Sequence, residues 1–309
     1  MKPAIDSATG HSPRTPKPRW LKVTIPGGPE FTRIQRALDE RGLHTICRSA
    51  RCPNIGECWN HGHATFLIMG DHCTRNCGFC AVAHGNPRPL DPDEPAKLVE
   101  TARIMKLRYV VITSVTRDDL ADGGSHHFAR VITRLKTDIP GLLVEVLIPD
   151  FNGEEPALNL VLDAAPHVLN HNIETVLSQY RKVRRPEEQF SRSLTLLERS
   201  AKRGAVTKSG IMVGLGETRT ELLDLFRQLH DRGVSLLTIG QYCRPTAASV
   251  PVDRYYDPEE FRELESEALA AGFAAVASGP LVRSSYHARE LYEKHQSGLF
   301  RTENTAGGK

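Results

Sequence analysis

Short apolar runs rich in β-branched residues recur along the middle of the chain, and amphipathic stretches separate them. The runs cover residues 65–70, 109–114, 142–149, 168–173, 207–214 and 236–242, and their length and composition predict strands. Between them, helical periodicity marks 93–106, 126–137, 154–164, 189–203 and 218–231. In the last of these, Leu222, Leu223, Leu225, Phe226 and Leu229 form an apolar stripe, and Gly233 follows as a stop. We read that stripe as core packing. Six strands with intervening helices imply a parallel sheet with right-handed crossovers. The pattern fits an open doubly wound sheet or an incomplete barrel, and either puts ligand-binding residues at the C-terminal strand ends.

At 309 residues the chain has room for one large α/β barrel or two smaller domains. Its 39% hydrophobic and 25% charged content is that of a soluble globular protein. No apolar run approaches the roughly 18 residues that span a bilayer. The first twenty residues are polar and Pro-rich, with no apolar signal core, so we expect a flexible arm over 1–30 and a cytoplasmic location. The net charge of +3 comes from 40 Lys and Arg against 37 Asp and Glu, too small an excess to imply a nucleic-acid partner. A local basic segment, Arg181-Lys182-Val183-Arg184-Arg185, is a solvated loop or a contact for an acidic partner or ligand carboxylate.

Seven cysteines stand at 47, 52, 58, 73, 77, 80 and 243, and the first six fall within residues 47–80. An odd count with no export signal argues against a disulfide framework and for metal-bound thiolates. Directly after the first strand comes Cys73-Thr-Arg-Asn-Cys77-Gly-Phe-Cys80, a C-x3-C-x2-C loop. Three thiolates on one tight loop can hold three irons of a [4Fe–4S] cube and leave the fourth iron open to a ligand. The bland alternative is a zinc knuckle using Cys77 and Cys80 with His72 or His84. Upstream lies a second triplet, Cys47-x4-Cys52-x5-Cys58, whose spacing alone suits an iron–sulfur cluster, zinc, or a disulfide with a free thiol.

The Cys73–Cys77–Cys80 loop after the first strand, with Phe79 before the last cysteine, resembles the signature of the radical SAM superfamily. The upstream triplet narrows the resemblance to the lipoyl synthase family. Matching segments include Thr65-Phe-Leu-Ile-Met-Gly-Asp, Thr113-Ser-Val-Thr-Arg-Asp-Asp-Leu-Ala-Asp-Gly-Gly, His171-Asn-Ile-Glu-Thr, Thr207-Lys-Ser-Gly-Ile-Met-Val-Gly-Leu-Gly-Glu and Arg283-Ser-Ser-Tyr-His-Ala. The similarity runs from about Arg33 to Glu290. It implies a partial (βα)6 TIM-type barrel over 63–275. An N-terminal extension over 31–62 would carry the auxiliary-cluster cysteines, and a C-terminal extension over 276–309 would carry a serine ligand. It further implies two [4Fe–4S] clusters. One, on Cys73, Cys77 and Cys80, would bind S-adenosylmethionine and cleave it to a 5′-deoxyadenosyl radical. The other, auxiliary, cluster would sit on Cys47, Cys52, Cys58 and Ser285, with Ser284 as the alternative. The activity implied is insertion of sulfur at C6 and C8 of an octanoyl chain on a carrier-protein lysine, with the auxiliary cluster as sulfur source. Implied partners are the octanoylated lipoyl domains of 2-oxoacid dehydrogenases or the glycine cleavage H protein. An electron donor such as flavodoxin or ferredoxin and an iron–sulfur carrier complete the set.

In Val168-Leu-Asn170-His-Asn172-Ile-Glu174, period-two alternation puts the three polar residues on one face, and the resemblance assigns Asn172 and Glu174 to S-adenosylmethionine. Arg184 or Arg185 would pair with its carboxylate; the family reads Val-Arg-Pro where this chain has Val183-Arg-Arg-Pro186. Lys208 and Gly214, on and after the next strand, complete the expected cofactor residues, although the glycine turn suits a helix start equally well. Asp118, Asp119 and Asp122 read as helix caps, and Cys243, where the family has leucine, reads as a core substitution. Rival readings are a radical enzyme inserting sulfur into RNA and a non-catalytic electron carrier or zinc scaffold.

Overall fold

The computed structural model describes residues 17–306, apart from 24 and 62. Most of the expected N-terminal arm and the last three residues lie outside that range. The described chain enters through α1 (Pro29–Asp39), a two-residue strand β1 (His44–Thr45) and the short helices α2 (Ile46–Ser49) and α3 (Ile55–Asn60). Then comes β2 (Thr65–Ile68), followed by β3 (His72–Cys73) and β4 (Ala83–His84), which pair in a separate parallel ribbon flanking the cysteine loop. The βα series continues with α4 (Glu94–Ile104), β5 (Tyr109–Ser114), α5 (Ser125–Asp138), β6 (Leu143–Leu147), α6 (Glu155–Asp163) and β7 (Val168–Asn170). It ends with α7 (Glu188–Lys202), β8 (Thr207–Val213), α8 (Arg219–His230), β9 (Leu236–Gln241), α9 (Pro258–Ala270), β10 (Ala275–Gly279) and α10 (Ala288–Ala306).

One sheet runs β1-β2-β5-β6-β7-β8-β9-β10, parallel throughout except for β1 on its edge. The parallel series therefore extends one strand past the six expected, because β10 crosses the boundary drawn at residue 275. Among the described residues the two sheet edges do not pair, as a partial barrel requires. Helices cover the outer face. Val144 and Val146 of β6 are fully buried in one core cluster with Phe128, Val131 and Leu135 of α5. The α8 stripe packs as expected: Leu222, Leu225, Phe226 and Leu229 are each at most 1% exposed. A capping box between Thr218 and Glu221 starts that helix.

Inward-facing positions are different. Lys208 and Glu145 are both completely buried there and paired at 2.9 and 3.2 Å. Tyr109 Oη donates to Glu145 (2.6 Å), and so does Asn170 Nδ2 (3.2 Å). A charged pair out of water repays its desolvation only when further hydrogen bonds satisfy it, and these two supply them. No helix among the described residues is long and apolar enough to cross a membrane.

Candidate functional site

The loop after β2 starts from a tight reversal, with Met69 at φ 67° and Gly70 at φ 96°. Such a conformation is costly for methionine and must be held from outside. Glu94 accepts from the Met69 N–H (3.0 Å) and from His127 Nε2 (2.6 Å), and both side chains are buried. In the loop itself, Cys73 Sγ accepts from the N–H of Arg75 (3.4 Å) and of Thr116 (3.3 Å), and Cys80 Sγ from that of Val82 (3.4 Å). Gly78 donates to Val183 O (2.7 Å), and its own carbonyl accepts from Val250 N–H (2.9 Å). A Cβ at position 78 would stand 2.7 Å from Val250 Cγ2, so only glycine fits between these two neighbours.

Arg75 anchors the loop from within. It pairs with Asp118 (2.8 Å) and with the fully buried Asp150 (2.7 Å), which Arg192 also reaches (3.1 Å). Burial alone would raise the Asp150 carboxyl, but the hydrogen bond and charge of Arg75 outweigh it and hold it at about 2. Asp118 is thus a loop anchor, where a helix cap was expected. Asp122 does cap α5, accepting from the Gly124 and His126 N–H groups (3.1 and 2.9 Å). Asp119 pairs with Arg117. Asp150, Glu94 and His127 carried no motif that singled them out in the sequence; an acidic residue just past an apolar strand was the one available signal for Asp150.

Beside this loop stand Glu174 and Arg185. Glu174 has φ 73° and is held by β8 on both sides: its N–H donates to Gly210 O (3.0 Å) and its carbonyl accepts from Met212 N–H (2.7 Å). Burial raises its carboxyl; the Arg185 charge and a hydrogen bond from Asn172 pull the other way. Arg184 and Arg185, equivalent in sequence, separate here. Arg184 is exposed, and its Nη2 donates to Ala248 O (3.3 Å). Arg185 is buried, stacks 5.3 Å over Tyr180, and donates from Nε to Gln189 (3.0 Å). Its Nη1 is buried without a partner. An unpaired buried guanidinium edge is costly unless an anion meets it.

Two expected cofactor residues are not brought to this group. Lys208 lies at the start of β8 and spends its ammonium on Glu145, because its position on the strand turns it into the barrel interior. Gly214 closes a turn whose N–H groups are capped by Glu217: Gly214 N–H and Leu215 N–H donate to its carboxylate (2.6 and 2.9 Å). The close approach that demands glycine there is to Gln241 and to the Arg254 carbonyl.

The other triplet lines a separate cavity of about 50 Å³, partly open to solvent. Cys47, Cys52 and Cys58 line it together with Arg283, Ser285 and Tyr286, and with Tyr109 and Val111 of β5. Residues that follow β10 thus meet residues that precede β2, across the gap between the sheet edges. Ser284 turns away: it exchanges hydrogen bonds with the Asn172 amide, at 2.7 Å from Nδ2 and 2.9 Å to Oδ1. Cys243 does not line the cavity, yet it is near enough to Cys52 for its charge to be felt there.

Burial pushes the Cys47 thiol to about 11 and Cys58 to about 12, with neighbouring cysteines adding to each. It also raises Cys52 and Cys77, and takes Cys80 to about 11. Crowded, buried thiols become thiolates only when a cation supplies the opposing charge, which suits a metal-bound donor set. Among the described residues no three His, Cys, Asp or Glu side chains converge closely enough to enclose one metal ion.

The Radical SAM superfamily model matches residues 67–229, and the model for the N-terminal domain of lipoyl synthase matches 5–52. The chain is 51% identical over 284 residues to the lipoyl synthase of Chloroflexus aggregans, covering 91% of this chain and 92% of that one. It is 54% identical over 275 residues to that of Methylococcus capsulatus, covering 88% and 85%. Among solved structures it resembles HydG, a hydrogenase maturase (TM-score 0.54, 15% identity, 73% of this chain and 58% of that one). It also resembles methylornithine synthase (TM-score 0.51, 15% identity, 68% and 70%). At that identity the structural likeness speaks for the fold alone.

Proposed function

The chain belongs to the lipoyl synthase family of radical SAM enzymes, and from that membership we propose that it inserts two sulfur atoms, at C6 and C8, into an octanoyl chain on a carrier-protein lysine. The observation that carries the reading is the cavity that Cys47, Cys52 and Cys58 line together with Ser285, with none of Cys73, Cys77 and Cys80 among its lining residues. Two four-iron clusters and S-adenosylmethionine, when bound, supply the hydrogen-abstracting radical and the sulfur. Everything else falls to the side chains.

In this reading Cys73, Cys77 and Cys80 hold one cluster, and Arg75, Asp118 and Asp150 keep their loop in place. Arg185 receives the methionine carboxylate on its free Nη1 edge, while Arg184 remains a surface residue. Asn172 and Glu174 bind the polar groups of the same cofactor. Ser285 is the fourth ligand of the auxiliary cluster; the reason to prefer it over Ser284 is that it faces the cavity while Ser284 is taken up by Asn172. Its hard oxygen would be the odd ligand among soft thiolates. The substrate is an octanoylated carrier protein, with lipoyl domains or the glycine cleavage H protein as the proposed carriers and a flavodoxin or ferredoxin as the proposed reductant.

The test is mass spectrometry of an octanoyl-lysine peptide incubated anaerobically with reconstituted protein, S-adenosylmethionine and a reductant. We expect a gain of two sulfurs and loss of two hydrogens. An unchanged peptide beside 5′-deoxyadenosine would move the search to another substrate.

A further inference from the structure

The segment joining β10 to α10 is half-buried, with Val282 buried, and it packs against two glycines of the sheet. A Cβ on Gly240 of β9 would stand 2.0 Å from Val282 O, and one on Gly210 of β8 would stand 2.6 Å from Asn172 Oδ1 and 2.9 Å from Ser284 Oγ. Met212 is opposite Gly240 in the β8–β9 register, so the two glycines lie two positions apart on one face of the sheet. Glycine in a central strand is destabilising by roughly 0.5–1 kcal/mol relative to alanine. Two of them together need a purpose: Gly210 leaves room for the Asn172–Ser284 pair, and Gly240 for the backbone of the segment that carries Ser284.

Ser285 is the next residue along. Its other neighbour is also anchored by its side chain: Tyr286 Oη donates to Glu57 Oε1 (2.9 Å), and Glu57 immediately precedes Cys58. Further back, Asn54 Nδ2 donates to Leu281 O (2.6 Å). Ser285 is therefore suspended between a bond to the strand end that carries Asn172 and Glu174 and a bond to the helix that carries Cys58. Asn172 also lowers the carboxyl of Glu174, two residues further on. Asn172, Ser284 and Ser285 make one connection between that end of β7 and the cysteine cavity.

We propose that Ser284 is a positioning residue that couples the two: binding of S-adenosylmethionine to the Asn172–Glu174 row and the placement of Ser285 in the cysteine cavity depend on each other through the Asn172–Ser284 bond. The inference rests on the assignment of Asn172 to the cofactor and of Ser285 to the auxiliary cluster. Coupling between two sites is reciprocal, so it is readable from either end. One neutral hydrogen bond carries about 2- to 10-fold in an equilibrium constant.

The experiment uses the protein reconstituted with both clusters. Affinity for S-adenosylmethionine is measured by equilibrium dialysis, and backbone hydrogen exchange over 281–290 is followed with and without it. For the wild type we expect S-adenosylmethionine to slow exchange in that segment. For Ser284→Ala we expect about 3- to 10-fold weaker binding and an exchange rate that no longer responds to the cofactor. Two controls separate the inference from its premise. Asn172→Ala must weaken binding of S-adenosylmethionine, and Ser285→Ala must lower the iron bound at the auxiliary site. If either control is silent, the site assignment fails and takes the coupling with it. If both controls respond while Ser284→Ala binds and exchanges like wild type, the coupling alone is overturned.

Discussion

The two cysteine triplets are built in opposite ways. Cys73, Cys77 and Cys80 lie within eight residues on one loop, gripped by backbone and side chains from four neighbouring strand ends. Cys47, Cys52 and Cys58 occupy an extension that joins the sheet through a two-residue strand and shares its core through Ile34, Leu38 and Trp59, and other residues lining their cavity arrive from the far end of the chain. A site made by local closure is stiff because little chain entropy is lost in forming it, whereas one assembled from distant segments must be held shut by contacts of its own. The visible contacts are Tyr286 to Glu57 and Asn54 to the Leu281 carbonyl. The loop closes within itself, whereas the cavity depends on the two ends of the chain packing together.

The largest effects should come from removing one cysteine on each side. Cys77→Ala should lower 5′-deoxyadenosine formation by at least ~10³-fold, because the cofactor carries the hard chemistry. Cys52→Ala should keep 5′-deoxyadenosine formation and lose sulfur insertion into the octanoyl peptide. Both products can be followed by mass spectrometry in one anaerobic assay. If Cys52→Ala loses both activities while its Cys73 loop still binds iron, the division of labour between the triplets is wrong.

Next comes the stiffness of the loop. Asp150→Ala removes the fully buried carboxylate between Arg75 and Arg192. Breaking a buried pair from one side costs ~3–5 kcal/mol, so the melting temperature should fall by roughly 5–8 °C in a chain of this size. Tyr286→Phe, which frees Glu57 on the other side, breaks a half-exposed contact and should cost no more than ~1 kcal/mol. Equal losses in differential scanning calorimetry would contradict the contrast between the two sites.

How far each site could be read from the chain follows the same division. The loop triplet was legible from spacing, and its strand from the apolar run ahead of it. The strand at Tyr109–Ser114 begins and ends where its β-branched run does. β10, Ala-Val-Ala-Ser-Gly, is too weakly apolar to stand out, and α9 hides its stripe among acidic residues although Asp257 and Glu260 form a capping box. Side-chain direction was the commoner gap. The sequence could not say that Arg185 turns inward and Arg184 outward, that Ser284 and Ser285 face different sites, or that Lys208 meets Glu145. These are decided by turns and strand register that form only when distant segments pack.

A smaller effect separates the two arginines. Arg185→Ala should weaken S-adenosylmethionine binding by about 10- to 100-fold, since it removes a buried charge whose free edge awaits an anion. Arg184→Ala, on the surface, should change it by no more than about 3-fold. Equilibrium dialysis on the two variants decides the matter, and the reverse ranking would exchange their roles.

The smallest expected effect is a pH dependence on the loop side. His171 follows β7 and is buried, with Nδ1 donating to Ile148 O (2.9 Å) and Nε2 accepting from Ser193 Oγ (2.8 Å). Burial lowers it to about 4, opposed by the Ile148 carbonyl and Asp150 and reinforced by Arg185 and Arg75. An unfolded histidine titrates near 6.5, so between those values the unfolded chain holds more protons than the folded one. Stability is therefore full above about pH 6.5 and is lost as pH falls toward 4. From pH 6.5 to 5.5 the loss is about 1 kcal/mol. His171→Asn keeps a donor for Ile148 but cannot titrate, so the difference between its stability and that of the wild type should shrink by that amount over the same interval. Urea unfolding at the two pH values measures it. A constant difference would mean that His171 titrates in the folded protein as it does in the unfolded chain, and that the polar ground beneath the cysteine loop is wetter than its packing indicates.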